Sequence, residues 1–122
     1  MTRELPYILS YYNGEITQMI TKEIEDIRDK FIENISPERI YLFGSYANDT
    51  FREDSDFDFY IIVDDDVKDL VDITAKAHKS IRWIKQRPVD IIVGKSSRFE
   101  ECKDAHTVEN EVYRKGILLY EG

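Results

Sequence analysis

The stretch LFGSYANDTFREDSDFDFYIIV, residues 42–63, decides the fold, because it places two apolar runs on either side of a polar insert. Asp54, Asp56 and Asp58 stand at alternate positions where the second apolar run begins. A carboxylate that enters a sheet loses hydration and is repelled by neighbouring carboxylates. The fold must therefore contain something that makes this negative charge tolerable at the start of a buried strand.

The apolar periodicity outside this stretch predicts an α/β (α+β) domain with a mixed central sheet of about four strands flanked by helices. Residues 1–14 are expected to form an N-terminal arm, and residues 1–122 a single domain. The predicted elements, in order, are a helix at 15–35, strands at 39–43 and 57–63, a helix over about 67–84, a strand at 89–93, a helix from Ser96 or Ser97 to about Lys115, with Gly116 as its C′ residue, and a strand at 117–120.

Composition narrows the class of protein. The net charge of −8 argues against a nucleic-acid partner, because such proteins normally carry a basic patch. Cys102 is the only cysteine, so no intrachain disulfide can form. The first residues lack the apolar core of a signal peptide, and no apolar run reaches the ~20 residues of a membrane helix. A soluble, cytoplasmic protein is expected.

The predicted topology brings three carboxylates together. Asp56 and Asp58 point to one side of their strand, because side chains alternate along a strand. The strand–helix–strand order over 57–93 predicts a crossover between parallel neighbours, whose starts lie side by side. Asp90, near the start of the third strand, should therefore lie beside them. If the first strand is antiparallel to the second, its end lies at the same edge of the sheet. Gly44-Ser45, which follows that end, should then lie beside the three carboxylates.

This arrangement predicts a site for magnesium and phosphate. A helix starting after Gly44 would direct backbone N–H groups at the same spot, and such helix starts attract phosphate. Magnesium prefers oxygen ligands and is commonly shared with substrate phosphates. Two ions ~4 Å apart can stabilise both the attacking and the leaving oxygen of a displacement. Bound cations would neutralise the aspartates.

Each signal also has a simpler interpretation. A Gly-Ser pair is by itself usually a turn, and Asp-x-Asp is by itself often the edge of a loop. Asp90 alone could be an ordinary edge residue. A calcium loop is excluded, because Phe59 and Asp65 stand where that loop needs glycine and glutamate. The spacing of these residues taken together supports a functional site more strongly than any one of them does alone.

The motif Gly44-Ser45, ten residues, then Asp56-Phe57-Asp58 resembles the G-S-x10-D-x-D signature of the DNA polymerase beta nucleotidyltransferase superfamily. It is most similar to the minimal, MNT-type members, which often act as antitoxins beside an HEPN-domain toxin. RPVDIIV (87–93) looks like the segment with the third family aspartate, and EVYRKGILLYEG (111–122) resembles the usual end of minimal members. The likeness spans about residues 36–122.

The resemblance implies roles for five residues. Gly44 and Ser45 would contact the nucleotide phosphates. Asp56 and Asp58 would bind magnesium, and Asp90 would complete a second magnesium site and help to activate the acceptor hydroxyl. That hydroxyl would attack the α-phosphorus of ATP or another nucleoside triphosphate, and pyrophosphate would leave.

The resemblance also implies a partner, with two alternatives left open. AMP would pass from ATP to a hydroxyl of a partner protein such as an HEPN toxin. The chain has Asp49 where many relatives have glycine, a difference expected to make the approach of a phosphate poorer. Larger members of the superfamily carry an added helical domain for the acceptor, for which this chain has no room, so the acceptor should bind on a partner or at an oligomer interface. One alternative is a non-catalytic antitoxin that neutralises its partner by occlusion. The other is a nucleotidyltransferase for small molecules of the aminoglycoside type.

Overall fold

The computed structural model describes residues 15–44 and 56–122, so the predicted arm at 1–14 lies outside the described residues. The described elements are α1 (Glu15–Ile35), β1 (Arg39–Phe43), β2 (Phe57–Val63), α2 (Leu70–Ile81), β3 (Val89–Lys95), α3 (Ser96–Cys102), α4 (Val108–Lys115) and β4 (Ile117–Glu121). None of these helices is both long enough and apolar enough to cross a membrane.

The strands form one mixed sheet in the order β3-β2-β1-β4, which confirms the predicted fold class. β1 is antiparallel to both β2 and β4, whereas β2 and β3 are parallel. In the register, Phe57 pairs with Val89 and Phe43 pairs with Asp58. The end of β1 and the starts of β2 and β3 therefore meet at one end of the sheet, which we call the acidic end.

Alternation along β2 gives the sheet two packed faces. Phe57, Phe59, Ile61 and Val63 belong to a core cluster with apolar side chains of α1 and α2. Phe59 is fully buried and meets the Phe31 ring edge-on, with 5.3 Å between ring centroids. The opposite face carries a smaller cluster, which contains Tyr41, Phe43, Tyr60, Ile62, Phe99 and Val112. The side chain of Asp58 projects on this second face.

One predicted helix is two helices in the structure. The prediction of one helix from Ser96 or Ser97 to Lys115 is wrong, since α3 ends at Cys102 and α4 begins at Val108. The Thr107 hydroxyl accepts a hydrogen bond from the Asn110 backbone N–H, and the Asn110 side-chain amide donates to the Lys103 carbonyl. A side-chain cap of this kind starts a new helix.

Two predicted helix ends also differ. Lys95 is the N-cap of α3, and the Ser97 backbone N–H donates to the Asp65 carboxylate, so neither predicted serine caps the helix with its side chain. Gly116 is the C-cap of α4 and has extended backbone, not the left-handed conformation of a C′ glycine. A Cβ at Gly116 would collide with the Val112 carbonyl, so close packing favours glycine there.

Candidate active site

The glycine at the end of β1 closes one side of the acidic end. Gly44 has a φ of +76°, a left-handed backbone conformation that residues other than glycine rarely adopt. A Cβ built on Gly44 would run into a carboxyl oxygen of Asp58. Two independent constraints, the backbone conformation and the lack of space, therefore require glycine at this position. Ser45, which together with Gly44 is predicted to contact the nucleotide phosphates, lies outside the described residues.

Asp58 and Asp90 meet across the parallel pair of strands. They are direct partners in the register of β2 and β3, and both lie on the face that carries Tyr60. Their carboxyl groups are close enough to share a hydrogen bond. Asp90 is exposed, whereas Asp58 is half-buried between Asp90 and Gly44. The structure thus brings the glycine bend and two of the three predicted aspartates together.

The surroundings of Asp58 disfavour its charge. Burial first, and then the hydrogen bond and negative charge of Asp90, raise the pKa of this carboxyl from its ordinary value of 3.8 to about 6. Asp56 and Glu111 add repulsion through their charges alone. A group whose ionised form is so disfavoured marks a place where a cation would be bound favourably.

Asp56 is placed less closely than the other two. It is exposed and lies immediately before β2. Within residues 15–44 and 56–122, no group of three or more Asp, Glu, His or Cys side chains is arranged to hold a metal ion. The described residues therefore offer a pair of carboxylates, Asp58 and Asp90, with Asp56 nearby. Carboxylate oxygens of this kind fit magnesium, which usually takes only one or two protein carboxylates along with waters and substrate phosphates.

A buried polar pair lies behind Asp58 on the same face, and the sequence interpretation missed it. The Tyr60 hydroxyl donates to Oε2 of Glu109 at 2.8 Å, and Glu109 is only 5% exposed. Burial, followed by this hydrogen bond, strongly raises the pKa of Tyr60. Gly94 leaves the space that the hydroxyl occupies, since a Cβ there would collide with it. The signal was available, because Glu109 lies three residues before the buried Val112 on the same helix face.

A cleft of about 500 Å³ runs along α4. Its walls include Glu111, whose charge reaches Asp58, together with Arg114 and Lys115 in the last turn of α4. The sequence interpretation did not single out these residues. An opening of this size with both cationic and anionic walls suits a polar ligand close to the acidic end.

Arg87, in the segment just before β3, has a structural role. Its guanidinium lies 2.9 Å from a Glu23 carboxylate oxygen, and its centre stands 4.4 Å from the centroid of the Phe57 ring. These contacts tie the segment before β3 to α1 and to the start of β2. Arg87 therefore stabilises the acidic end from the face opposite Asp58.

Comparison with known proteins adds a family and a fold. A family model described as a nucleotidyltransferase domain matches residues 24–119. No curated protein matches the sequence significantly.

Three crystal structures of toxin–antitoxin complexes resemble the chain. The first, a toxin–antitoxin with AMP-PNP, is 24% identical to this chain with a TM-score of 0.51. The match covers 80% of this chain and 73% of the chain in that structure. The second, the MntA-HpeT pair with two Asp-to-Glu substitutions, is 22% identical with a TM-score of 0.52 and the same coverage. The third, that pair with a Tyr-to-Ala substitution, is 23% identical with a TM-score of 0.51, covering 81% and 72%. At these identities the likeness concerns the fold.

Proposed function

Because this chain belongs to the nucleotidyltransferase domain family, we propose that it transfers AMP from ATP to a hydroxyl group of a partner protein in the cytoplasm. One observation carries the proposal: Gly44 lies against the carboxyl of Asp58, which in turn contacts Asp90. A tight bend without a side chain lets a phosphate approach the end of β1, and the two acids stand beside it.

The acids would hold two magnesium ions, with Asp58 in contact with both, Asp56 completing one site and Asp90 the other. Bound magnesium would neutralise the phosphate charge and stabilise the attacking and leaving oxygens. The exposed Asp90 carboxylate would orient the acceptor hydroxyl and help to take up its proton. A bond forms between the acceptor oxygen and the α-phosphorus, and the bond from that phosphorus to the pyrophosphate oxygen breaks. Gly44 and Ser45 would contact the phosphates.

The partner protein is inferred from the solved neighbours. They are toxin–antitoxin complexes, and one of them contains AMP-PNP. We therefore propose a toxin of the HEPN class as the acceptor, modified on a tyrosine hydroxyl. An acceptor on a separate protein also suits a chain whose described elements are taken up by one sheet and the helices that cover it.

Incubation with α-labelled ATP, magnesium and the partner toxin tests the proposal. Wild-type protein should label the toxin, whereas Asp58→Asn and Asp90→Asn should each lower the rate at least about 100-fold, because each removes an oxygen ligand. Asp104→Asn is the matched control, since Asp104 is an exposed carboxylate outside the acidic end. Equal labelling by wild type and Asp58→Asn would refute catalysis.

A second candidate is neutralisation by occlusion alone. The net charge of −8 would help the chain to cover a basic ribonuclease surface. The double variant of Asp58 and Asp90 discriminates between the candidates. It should still protect cells from the toxin under occlusion, and should fail to protect them under catalysis.

A further inference from the structure

The cleft along α4 opens toward the acidic end of the sheet. α4 lies on the face that carries Asp58, with Val112 buried in the cluster on that face. The helix ends beside β1, since a Cβ built on Gly116 would stand 3.2 Å from the Leu42 carbonyl oxygen. Leu42 also pairs with Ile117, the first residue of β4. The last turn of α4 and the start of β4 therefore lie at the end of the sheet where β1 ends and β2 begins.

One side of α4 presents three charged residues to the cleft. Glu111, Arg114 and Lys115 are spaced by three and four residues, so they share one side of the helix. All three line the cleft and are exposed. Tyr113 points to the other side, where its ring meets Phe99 of α3 edge-on at 6.4 Å between centroids. The charged side of α4 thus faces the cleft, and the aromatic side faces α3.

Two of these three residues are cations that a ligand can reach. Neither Arg114 nor Lys115 makes an ion pair with another of the described residues. Glu111 lies about one turn before both of them on the helix, yet it pairs with neither within the described part of the chain. Their full positive charge is therefore directed at whatever enters the cleft.

Most of the uncharged polar groups of the cleft are already engaged within the fold. The Thr107 hydroxyl accepts a hydrogen bond from the Asn110 backbone N–H and donates to the Cys102 carbonyl. The Asn110 side-chain amide donates to the Lys103 carbonyl. Recognition of a ligand in this cleft therefore depends on its charged side chains, with His106 before the start of α4.

The cations stand beyond Asp58 instead of beside it. β4 and β2 lie on opposite sides of β1, so the start of β4 is two strand spacings, about 10 Å, from the strand that carries Asp58. Glu111 is among the principal charges that act on Asp58, and no cation of the described residues is among them. Arg114 and Lys115 are thus placed to meet an anionic group that extends from the acidic end, and they do not neutralise the acids themselves.

We propose that Arg114 and Lys115 bind the β- and γ-phosphates of the nucleoside triphosphate in the α4 cleft, an inference that rests on the proposed use of such a nucleotide. With the α-phosphorus at Asp58 and Asp90, the remaining phosphates extend along the cleft to the last turn of α4. Both side chains donate charge-assisted hydrogen bonds, and the guanidinium can engage two phosphate oxygens at once.

The same contacts would assist departure of the leaving group. When the bond from the α-phosphorus to the bridging oxygen breaks, its electron pair stays on that oxygen, which belongs to pyrophosphate. The two cations stabilise this charge where it develops. Glu111 and the aspartates repel anions, so binding of phosphate in the cleft should require magnesium at the acidic end.

Binding without a partner protein tests this inference separately from transfer. The full chain is titrated in a calorimeter with ATP, AMP or inorganic triphosphate, each in the presence of magnesium. Arg114→Gln and Lys115→Gln should each weaken binding of ATP and triphosphate at least about fivefold, because each removes a charged hydrogen bond. Binding of AMP should change by less than about twofold. Equal ATP affinity of wild type and the double variant, or a wild type that does not bind ATP, would overturn the inference.

Conservative and distant variants separate binding from helix stability. Basic residues in the last turn also stabilise a helix through its dipole, and that role alone would lower the urea midpoint without changing the preference for ATP over AMP. Arg114→Lys and Lys115→Arg should keep the ATP affinity within about threefold. Lys79→Gln and Arg82→Gln, at exposed positions at the end of α2 and just after it, should leave it unchanged, since α2 packs on the other face of the sheet.

The two proposals can fail independently. If the toxin is labelled but the double variant of Arg114 and Lys115 binds ATP as wild type does, the phosphate contacts assigned to α4 are wrong and the proposed transfer stands. If ATP binding depends on both cations and no toxin is labelled, the contacts stand and the proposed transfer is wrong.

Discussion

Replacement of Asp58 by asparagine should stabilise the folded protein at neutral pH when divalent cations are absent. The wild-type carboxyl is half-buried, touches Asp90 and has its pKa raised to about 6 by burial first and Asp90 second. Ionised Asp58 is therefore a cost of folding. Asparagine keeps the size of the side chain and an N–H that can donate to Asp90, but it carries no charge.

The size of the effect follows from linkage between ionisation and folding. The folded pKa of about 6 lies some two units above the ordinary value of 3.8, and one unit corresponds to about 1.36 kcal/mol. The product, about 3 kcal/mol, is an upper limit, because solvent reaches much of this side chain and screens the repulsion. We expect about 1 kcal/mol after that reduction.

The sign and the pH window are fixed by the same shift. A carboxyl with a raised folded pKa favours the native state most at low pH, where both states are protonated. Stability is then lost as the pH rises from about 4 through 6, and the loss is complete above about pH 7. The variant lacks this loss, so its advantage over wild type should be near zero at pH 4 and largest at pH 8.

Urea unfolding in EDTA at several values of pH measures the difference. Asp104→Asn serves as the control, because it removes one exposed negative charge from a protein with a net charge of −8. Added magnesium should stabilise wild type and narrow the gap, since asparagine is a poorer ligand. An advantage that is constant across pH, or equal in the Asp104 variant, would refute the account of Asp58 given above.

Three further substitutions test other parts of the fold and site. Gly44→Ala should cost at least about 2 kcal/mol in urea unfolding and abolish nucleotidyl transfer, because the left-handed backbone and the Asp58 carboxyl both exclude a Cβ; transfer at the wild-type rate would contradict this role. Tyr60→Phe should cost about 1–3 kcal/mol, since the buried Glu109 loses its hydrogen bond, and thermal unfolding without loss of stability would contradict that pairing. Thr107→Ala should cost about 1 kcal/mol and lower helicity by circular dichroism, because α4 loses its cap, whereas Thr107→Ser should restore both.

The sequence predicted the strands and their arrangement well because their signals are local and redundant. In β2 the alternation of Phe57 and Phe59 with Asp58 gives one apolar and one polar side, and the crossover rule then places β3 beside it. The predicted bounds of α1 match the structure because the apolar stripe continues until Ile35, just before Ser36-Pro37.

The break between α3 and α4 was not predictable from the same pattern. Phe99 and Val112 are both buried against the sheet, so apolar positions continue through the break, and neither glycine nor proline marks it. The separation depends on the Thr107 cap and on the hydrogen bond from the Asn110 side chain to the Lys103 carbonyl. Threonine and asparagine also occur on the exposed surfaces of ordinary helices, so these residues do not reveal the break. Periodicity cannot distinguish such a cap from an ordinary exposed threonine.

The pairing of Tyr60 with Glu109 explains how an acid can remain ionisable at the acidic end without loosening the sheet. β2 carries Asp58 and Tyr60 on one face, two residues apart, so a strand that shifts to relieve Asp58 must also move Tyr60. Tyr60 is held by Glu109 on α4 and fitted against Gly94 on β3, and Phe99 packs on its ring at 5.5 Å between centroids. The repulsion at Asp58 is therefore retained as strain that a bound cation can relieve. When no cation is bound, this repulsion opposes folding without displacing β2.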